Sequence, residues 1–184
     1  MRKLLVLLVL ALVLTASYLW FKPDNNTALV SADQKLQPDY IASEISRTLY
    51  NDQGYKTDSV TAVRLEHFDQ LGFTHFEQPI YTLYNNQHQP SWTAHSQTAT
   101  WYPEDRIILE HKVIIESLLQ NELIERIETD TLEMLFPDNR LQNNQPVRVI
   151  GKGFIIEGVG IQADLTNKTL HLLQHNKTVY QNES

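Results

Sequence analysis

The chain has 184 residues, no cysteine, 42% hydrophobic residues and a formal net charge of −7. This length suits one domain with a sizeable core. The lack of cysteine excludes disulfides, thiolate metal sites, iron–sulfur clusters and a cysteine nucleophile. From Pro23 onward, 12 lysines and arginines stand against 22 acidic residues, so bulk electrostatics cannot hold an anionic partner such as nucleic acid.

The N-terminal segment is predicted to be a membrane anchor. Leu4 to Phe21 are 18 residues without a charge, and a helix of that length covers about 27 Å, close to the hydrocarbon thickness of a bilayer. Arg2 and Lys3 precede it, which places the N-terminus in the cytoplasm by the positive-inside rule. We therefore expect residues 1–22 to form a transmembrane anchor.

A cleaved signal peptide is the alternative interpretation of this segment. Residues 15–17 read Thr-Ala-Ser, which is an acceptable small-residue cleavage site. The apolar run continues past that site to Phe21, which favours the anchor. Both interpretations place the rest of the chain outside the cytoplasm. Residues 23–38 are polar and bounded by prolines, so we predict a linker there and one domain over residues 39–184.

The domain is predicted to be all-β, because runs of β-branched and aromatic residues recur between turn signals. The segment 118–129 has apolar residues four apart, which alone favours a helix; its flanks favour strands, and we interpret it as a loop followed by a strand. The predicted class is a sandwich, jelly roll or open barrel. The predicted strands are 41–50, 60–68, 79–84, 91–102, 107–117, 127–136, 147–150, 154–163, 169–173 and 178–180.

No constellation of catalytic residues stands out. His171 and His175 are four apart, a spacing that suits a metal only on a helix. The sequence contains no Gly-x-Ser-x-Gly motif and no phosphate-binding loop, and its carboxylates are scattered. Four of the six glycines lie between Gly151 and Gly160, where glycine in strands marks bulges or close backbone approach. We therefore predict that the protein is not an enzyme and binds no metal or cofactor.

The apolar and aromatic residues are spread over all the predicted strands. They fit an ordinary β-sandwich core, or an apolar trough between two sheets that accepts acyl chains. In the second case the attraction is the burial of hydrocarbon, worth about 0.8 kcal/mol per CH₂.

The sequence resembles the LptC family of lipopolysaccharide export proteins over nearly its whole length. No single piece is specific, but the order and spacing of the pieces are. After the apolar segment and polar linker, they are Pro38-Asp39-Tyr40, Thr48-Leu49-Tyr50-Asn51, Gly54, Phe76-Glu77-Gln78-Pro79, Pro90-Ser91-Trp92, Ile107-Ile108-Leu109, Ile127-Glu128-Thr129-Asp130, Pro146-Val147, Gly151, Gly158 and Thr178-Val179-Tyr180.

The resemblance implies a fold, a location and a function. The fold would be an open, twisted antiparallel jelly roll of two sheets, preceded by one transmembrane helix in the inner membrane, with the C-terminal domain in the periplasm. The apolar interior would hold the acyl chains of lipopolysaccharide. The chain would receive lipopolysaccharide from the inner-membrane ABC exporter with subunits LptF and LptG and pass it to periplasmic LptA, with the two sheet edges docking by β-augmentation.

The resemblance also implies roles for individual residues. The lipid-facing residues would be Ile45, Phe76, Leu170 and Tyr180. Gly151 matches a glycine of the family, and a side chain there should collide with a neighbouring strand.

The sequence departs from the family pattern at two places. His111 and Lys112 stand before Val113 where the family tends to have a glycine turn, which puts a tight turn in doubt. Ile45 and Leu170 are larger or more apolar than the family's usual residues, which predicts a narrower or more apolar groove.

An alternative function is a periplasmic scaffold that recruits partners by β-augmentation without touching lipid. In that case, charged substitutions at Ile45 or Phe76 would spare export while changes at the sheet edges would abolish it. A periplasmic hydrolase is disfavoured because the sequence lacks a nucleophile constellation.

Overall fold

A computed structural model describes residues 37–120, 122–136, 138, 140–164, 167 and 169–180. These residues are all-β, as predicted, and they contain no helix long and apolar enough to cross a membrane. The predicted anchor, with Leu4 and Phe21, lies outside them. The strands are β1 Tyr40–Tyr50, β2 Lys56–Phe68, β3 Phe73–Glu77, β4 Ile80–Tyr84, β5 Pro90–His95, β6 Thr98–Tyr102, β7 Arg106–Ser117, β8 Ile124–Leu135, β9 Arg140–Gly151, β10 Phe154–Asp164 and β11 Thr169–Tyr180.

The strands pair in one continuous antiparallel sheet that forks between β2 and β7. Residues 58–61 of β2 pair with β4, while residues 64–68 pair with β3. On the other side of the fork, β6 pairs with the first half of β7 and β5 with its last residues. Within the described chain, β1 pairs with β2 alone and β11 with β10 alone, so these two long strands are the free edges of the sheet.

Bulges interrupt the long strands at the level of the fork. The register shifts between Glu110 and Val113 in β7, between Thr129 and Glu133 in β8, and between Val159 and Ile161 in β10. In β1 the pairing skips Glu44, whose backbone is left-handed with φ of 54°, and the register is kept. Such irregularities can change which face the following side chains occupy, so both halves of a strand can supply the same core. The buried core cluster does combine residues from both sides of the bulges: Val113, Ile127, Leu132, Val147, Val149 and Ile161.

One asparagine ties three strands together at this level. The Asn143 amide nitrogen donates to Thr129 Oγ1 at 2.6 Å and to the Thr131 carbonyl at 3.0 Å, and its carbonyl oxygen accepts from the Ile161 backbone N–H at 2.9 Å. Ile161 is 1% exposed. The Asn143 side chain therefore replaces the backbone hydrogen-bond partner that the Ile161 N–H loses at the bulge.

Residues 111–113, where a tight turn was in doubt, lie within β7 and form a bulge instead of a turn. His111 and Lys112 both have left-handed backbones, with φ of 63° and 55°. The His111 carbonyl accepts a hydrogen bond from the Gln97 N–H at 2.9 Å. A left-handed backbone costs a residue with a side chain about 1–2 kcal/mol, so pairing around the fork maintains a conformation that the local sequence disfavours.

The strand predictions differ from the structure where the sheet forks. Residues 91–102 were predicted as one strand and form two, β5 and β6, because the strand is interrupted at Ser96 and Gln97. The Ser96 hydroxyl donates to the Thr98 carbonyl at 2.8 Å, and the Gln78 N–H donates to the Gln97 carbonyl at 2.7 Å. The short β3 was not predicted.

Two further boundaries differ near the C-terminus. The segments 169–173 and 178–180 are one strand, β11, with a register shift opposite Glu157 and Gly158. Strand β9 begins at Arg140, ahead of the predicted 147–150, and includes a polar stretch. The loop followed by a strand within 118–129 is confirmed, since β8 begins at Ile124.

Candidate functional site

The register of the sheet shows which side chains share a face. Residues directly opposite one another on successive strands form a row, and the members of a row point to the same face. One row crosses the sheet from edge to edge and includes the buried core residues Ile127 and Val149. We call its face the inner face. The row is Arg47, Val60, Tyr81, Ala94, Ile115, Ile127, Val149, Ile156 and Thr178.

A second row crosses the other branch of the fork on the same inner face. It is Tyr40, His67, Thr74, Trp101, Ile107, Met134, Leu141, Ala163 and Leu170. Beside it, Ala42, Leu65, Phe76, Ala99, Leu109 and Leu132 form a shorter row. The inner face is therefore largely apolar from β1 to β11.

All four residues predicted to face lipid lie on the inner face, but they are not gathered in one place. Ile45 pairs with the buried Ala62 near the β1 edge, and Phe76 lies on β3. Leu170 and Tyr180 lie at opposite ends of β11. Tyr180 is 79% exposed, because it occupies the free edge. The four positions follow the inner face across the sheet.

Large side chains are buried at one end of the inner face only. The core cluster belongs entirely to β7–β10. Between Tyr40 and Tyr102 the large inner-face residues are half-buried, as Phe76 and Trp101 are, or exposed, as Tyr40 is. The buried residues of that region are small: Ala62, Thr74, Pro79, Ser91, Ser96 and Ala99. The inner face is thus a closed core near β9 and an open trough near β1.

Two cavities lie along the sheet. The first, of about 680 Å³, is at the fork and is lined by Glu44, Ile45, Thr61, Ala62, Val63, Gln78, Pro79, Ile80, His95 and Ser96. The second, of about 390 Å³, is near the β11 edge and is lined by Leu123, Ile124, Val149, Phe154, Ile156, Leu170, Leu172 and His175. Of the four predicted residues, Ile45 lines the first cavity and Leu170 the second.

Sequence reasoning missed most of the second cavity. Phe154 and Leu172 were not predicted as site residues, although the neighbouring glycines indicated close packing. Gly151 is buried, and a Cβ placed on it would overlap the Phe154 ring and lie 2.5 Å from the Leu123 carbonyl oxygen. The missing side chain at Gly151 leaves room for the Phe154 ring beside the cavity.

The outer face carries charge where the inner face is apolar. Arg126 lies 2.6 Å from Glu116 and 2.7 Å from Glu128, which also pairs with Arg148 at 3.5 Å. These side chains are about one-third to one-half exposed, so each pair contributes less than about 1 kcal/mol. The two faces therefore differ sharply in polarity.

Tyr81 is an ionisable group on the inner face whose pKa is displaced. Burial, together with the nearby Asp58 carboxylate, raises the pKa of its phenol to about 12, and the Arg47 guanidinium opposes this rise. The phenol is therefore protonated at neutral pH and can donate a hydrogen bond.

The described residues show no arrangement suited to a metal ion: no three or more histidine or acidic side chains converge there. His171 and His175 both lie on β11. His175 lines the second cavity, while His171 alternates with the inner-face residues Leu170 and Leu172 and points to the outer face.

The fold and site define an open all-β domain with an apolar inner face and two unpaired sheet edges. A family model described as "Lipopolysaccharide-assembly, LptC-related" matches residues 6–181. The chain belongs to this LptC family.

Similar proteins agree with this assignment. The lipopolysaccharide export system protein LptC of Escherichia coli K12 is 21% identical over 157 residues, covering 85% of this chain and 82% of that protein. The Haemophilus influenzae protein of the same name is 23% identical over 161 residues, covering 78% of this chain and 77% of its own length. Family and relatives support involvement in lipopolysaccharide transport, and the family is one of transport proteins rather than enzymes.

A solved structure supports the fold. LptH of Pseudomonas aeruginosa, described as the LptA homologous periplasmic component of the lipopolysaccharide transport device, superimposes with a TM-score of 0.50. It is 16% identical and covers 68% of this chain and 95% of LptH. At that identity the likeness concerns the fold alone.

Proposed function

We propose that this protein receives lipopolysaccharide from the inner-membrane ABC exporter with subunits LptF and LptG and passes it to LptA. Its N-terminal segment anchors it in the inner membrane, and its β-domain lies in the periplasm. The two branches of the forked sheet act as the layers of an open jelly roll. The acyl chains lie between them, against Ile45, Phe76, Leu170 and Tyr180.

The observation that carries this proposal is the continuity of the inner face. Largely apolar rows run without a gap from the β1 edge to the β11 edge. Each methylene that leaves water against such a surface gains about 0.8 kcal/mol. Because the attraction is nondirectional, an acyl chain can slide along the open part of the face without a covalent step.

The free edges support the proposed partners. Most proteins shorten or protect their edge strands, but β1 has 11 residues and β11 has 12. Exposed apolar side chains flank both edges, including Ile41 and Tyr50 on β1 and Leu173 and Val179 on β11. Such edges suit β-augmentation, and we assign the β1 edge to the exporter and the β11 edge to LptA.

A matched pair of substitutions on β1 tests the proposal. Ile45 is half-buried on the inner face, and Ile41 is 50% exposed on the outer face of the same strand. Ile45→Glu should abolish lipopolysaccharide co-purification and impair export, because it places a charge in the acyl path. Ile41→Glu should retain both.

The scaffold alternative predicts a different outcome. If the domain only recruits partners, both variants export equally and neither changes lipid recovery. Thermal unfolding of both variants separates loss of lipid from loss of fold. Equal lipid recovery with Ile45→Glu and Ile41→Glu would contradict the lipid-conducting proposal.

A further inference from the structure

Arg47 differs from the other described arginines. Arg64, Arg106, Arg126, Arg140 and Arg148 all alternate with inner-face residues, so they point to the outer face, and each forms an ion pair with a carboxylate. Arg47 lies on the inner face, opposite Val60. It alone of these six makes no ion pair within the described part of the chain, although acidic residues are in excess there.

The surroundings of Arg47 combine apolar and hydrogen-bonding groups. Ile45 and Leu49 flank Arg47 on the same face of β1. Tyr81 lies opposite Val60 in the row that begins with Arg47. The phenol of Tyr81 is a hydrogen-bond donor in the same row as the guanidinium. A cation and a neutral donor above an apolar strand suit an anionic group attached to hydrocarbon.

Arg47 lies next to the residues that line the first cavity. Ile45 and Ala62 line that cavity, and Arg47 is two residues further along β1, about 7 Å away. Asp58, the nearest inner-face carboxylate, pairs with Leu49 on the opposite side of Arg47. Glu44 lines the cavity on the other side. Within the described residues neither carboxylate forms an ion pair with Arg47, so its guanidinium is available to an anionic group.

We propose that Arg47 binds a phosphate of an amphiphile whose acyl chains occupy the cavity beside Ile45, with the Tyr81 hydroxyl as a second donor. This inference rests on the proposed function and deepens it, because it names the residues that recognise the head group. The guanidinium can hold two phosphate oxygens at once.

Binding of two lipids to the full-length protein tests this inference. The probes are lipid A with its phosphates and the same lipid A after removal of both phosphates. Trp92 and Trp101 lie on the inner face, so tryptophan fluorescence reports binding. Arg47→Gln should weaken binding of phosphorylated lipid A about tenfold, or about 1.4 kcal/mol, and leave the dephosphorylated lipid unchanged. Arg47→Lys should retain part of the difference.

Arg64→Gln is the matched control, because it removes an arginine from the outer face of the neighbouring strand and should alter neither affinity. Equal affinity of Arg47→Gln and wild type for phosphorylated lipid A would overturn the inference and leave the proposed function standing. An equal loss for both lipids would also overturn it. A wild-type protein that binds neither lipid would contradict the proposed function as well.

Discussion

Replacement of Gly151 by alanine should destabilise the C-terminal half of the sheet. Gly151 pairs with Ile124 on one side and Phe154 on the other. A new Cβ would overlap the Phe154 ring and lie 2.5 Å from the carbonyl oxygen of Leu123. That carbonyl also accepts a hydrogen bond from the Lys152 N–H at 3.1 Å, so it cannot move freely.

The expected loss follows from two opposing effects. Overpacking a tight site costs about 1–3 kcal/mol, and the smaller conformational freedom of alanine in the unfolded chain offsets up to about 1 kcal/mol. The net loss should be about 1–2 kcal/mol, which lowers Tm by about 2–8 °C for a domain of this size. Arginine at Gly151 adds a buried charge and should detach β9 from β10 or prevent folding.

Urea and thermal unfolding of four proteins measure this effect: wild type, Gly151→Ala, Phe154→Ala and the double variant. Because the Phe154 ring meets the new Cβ, the double variant should lose less stability than the sum of the single losses. A Gly151→Ala protein as stable as wild type, with additive losses in the cycle, would refute the steric reasoning.

Three further predictions concern the fork and the inner face. His111→Gly should raise the unfolding free energy by about 0.5–1 kcal/mol in urea titrations, because glycine accepts the left-handed backbone; an unchanged or lower value would argue against strain there. Asn143→Ala should lose about 1–3 kcal/mol and speed exchange of the Ile161 amide, since that buried N–H loses its partner, while Asn144→Ala on the exposed side should be near neutral. The raised pKa of Tyr81 means that stability is unaffected below about pH 10 and falls as pH rises from about 10 to 12; Tyr81→Phe should remove that part of the alkaline loss and one late phase in a 295 nm titration.

The sequence was sufficient to predict most of β1, β2, β7, β8 and β10, but not the full length of β9 and β11 and not the fork. Strands β2, β7 and β10 are rich in β-branched residues with recognisable alternation, which is a local signal. The break at Ser96 and Gln97 depends on hydrogen bonds to residues distant in sequence. Hydrogen-bond partners that are distant in sequence cannot be predicted from local residue propensities.

The inner face could not be derived from alternation alone. Ala62 and Leu65 on β2 are three residues apart, and both point inward, because the pairing of β2 with β1 is interrupted between them at Val63. The alternation that places odd- or even-numbered residues on the inner face in one half of a strand therefore does not hold in the other half. The resemblance to a family supplied the inner-face positions Ile45 and Tyr180 without needing that alternation.

The most direct test of the central claim is photo-crosslinking at adjacent residues of opposite faces. Phe76 and Ile156 point inward, while their neighbours His75 and Ile155 point outward. A photoreactive side chain introduced at each position in living cells should capture lipopolysaccharide at residues 76 and 156 and fail to do so at 75 and 155. Equal capture on both faces, or capture at 75 and 155 alone, would contradict an acyl path along the inner face.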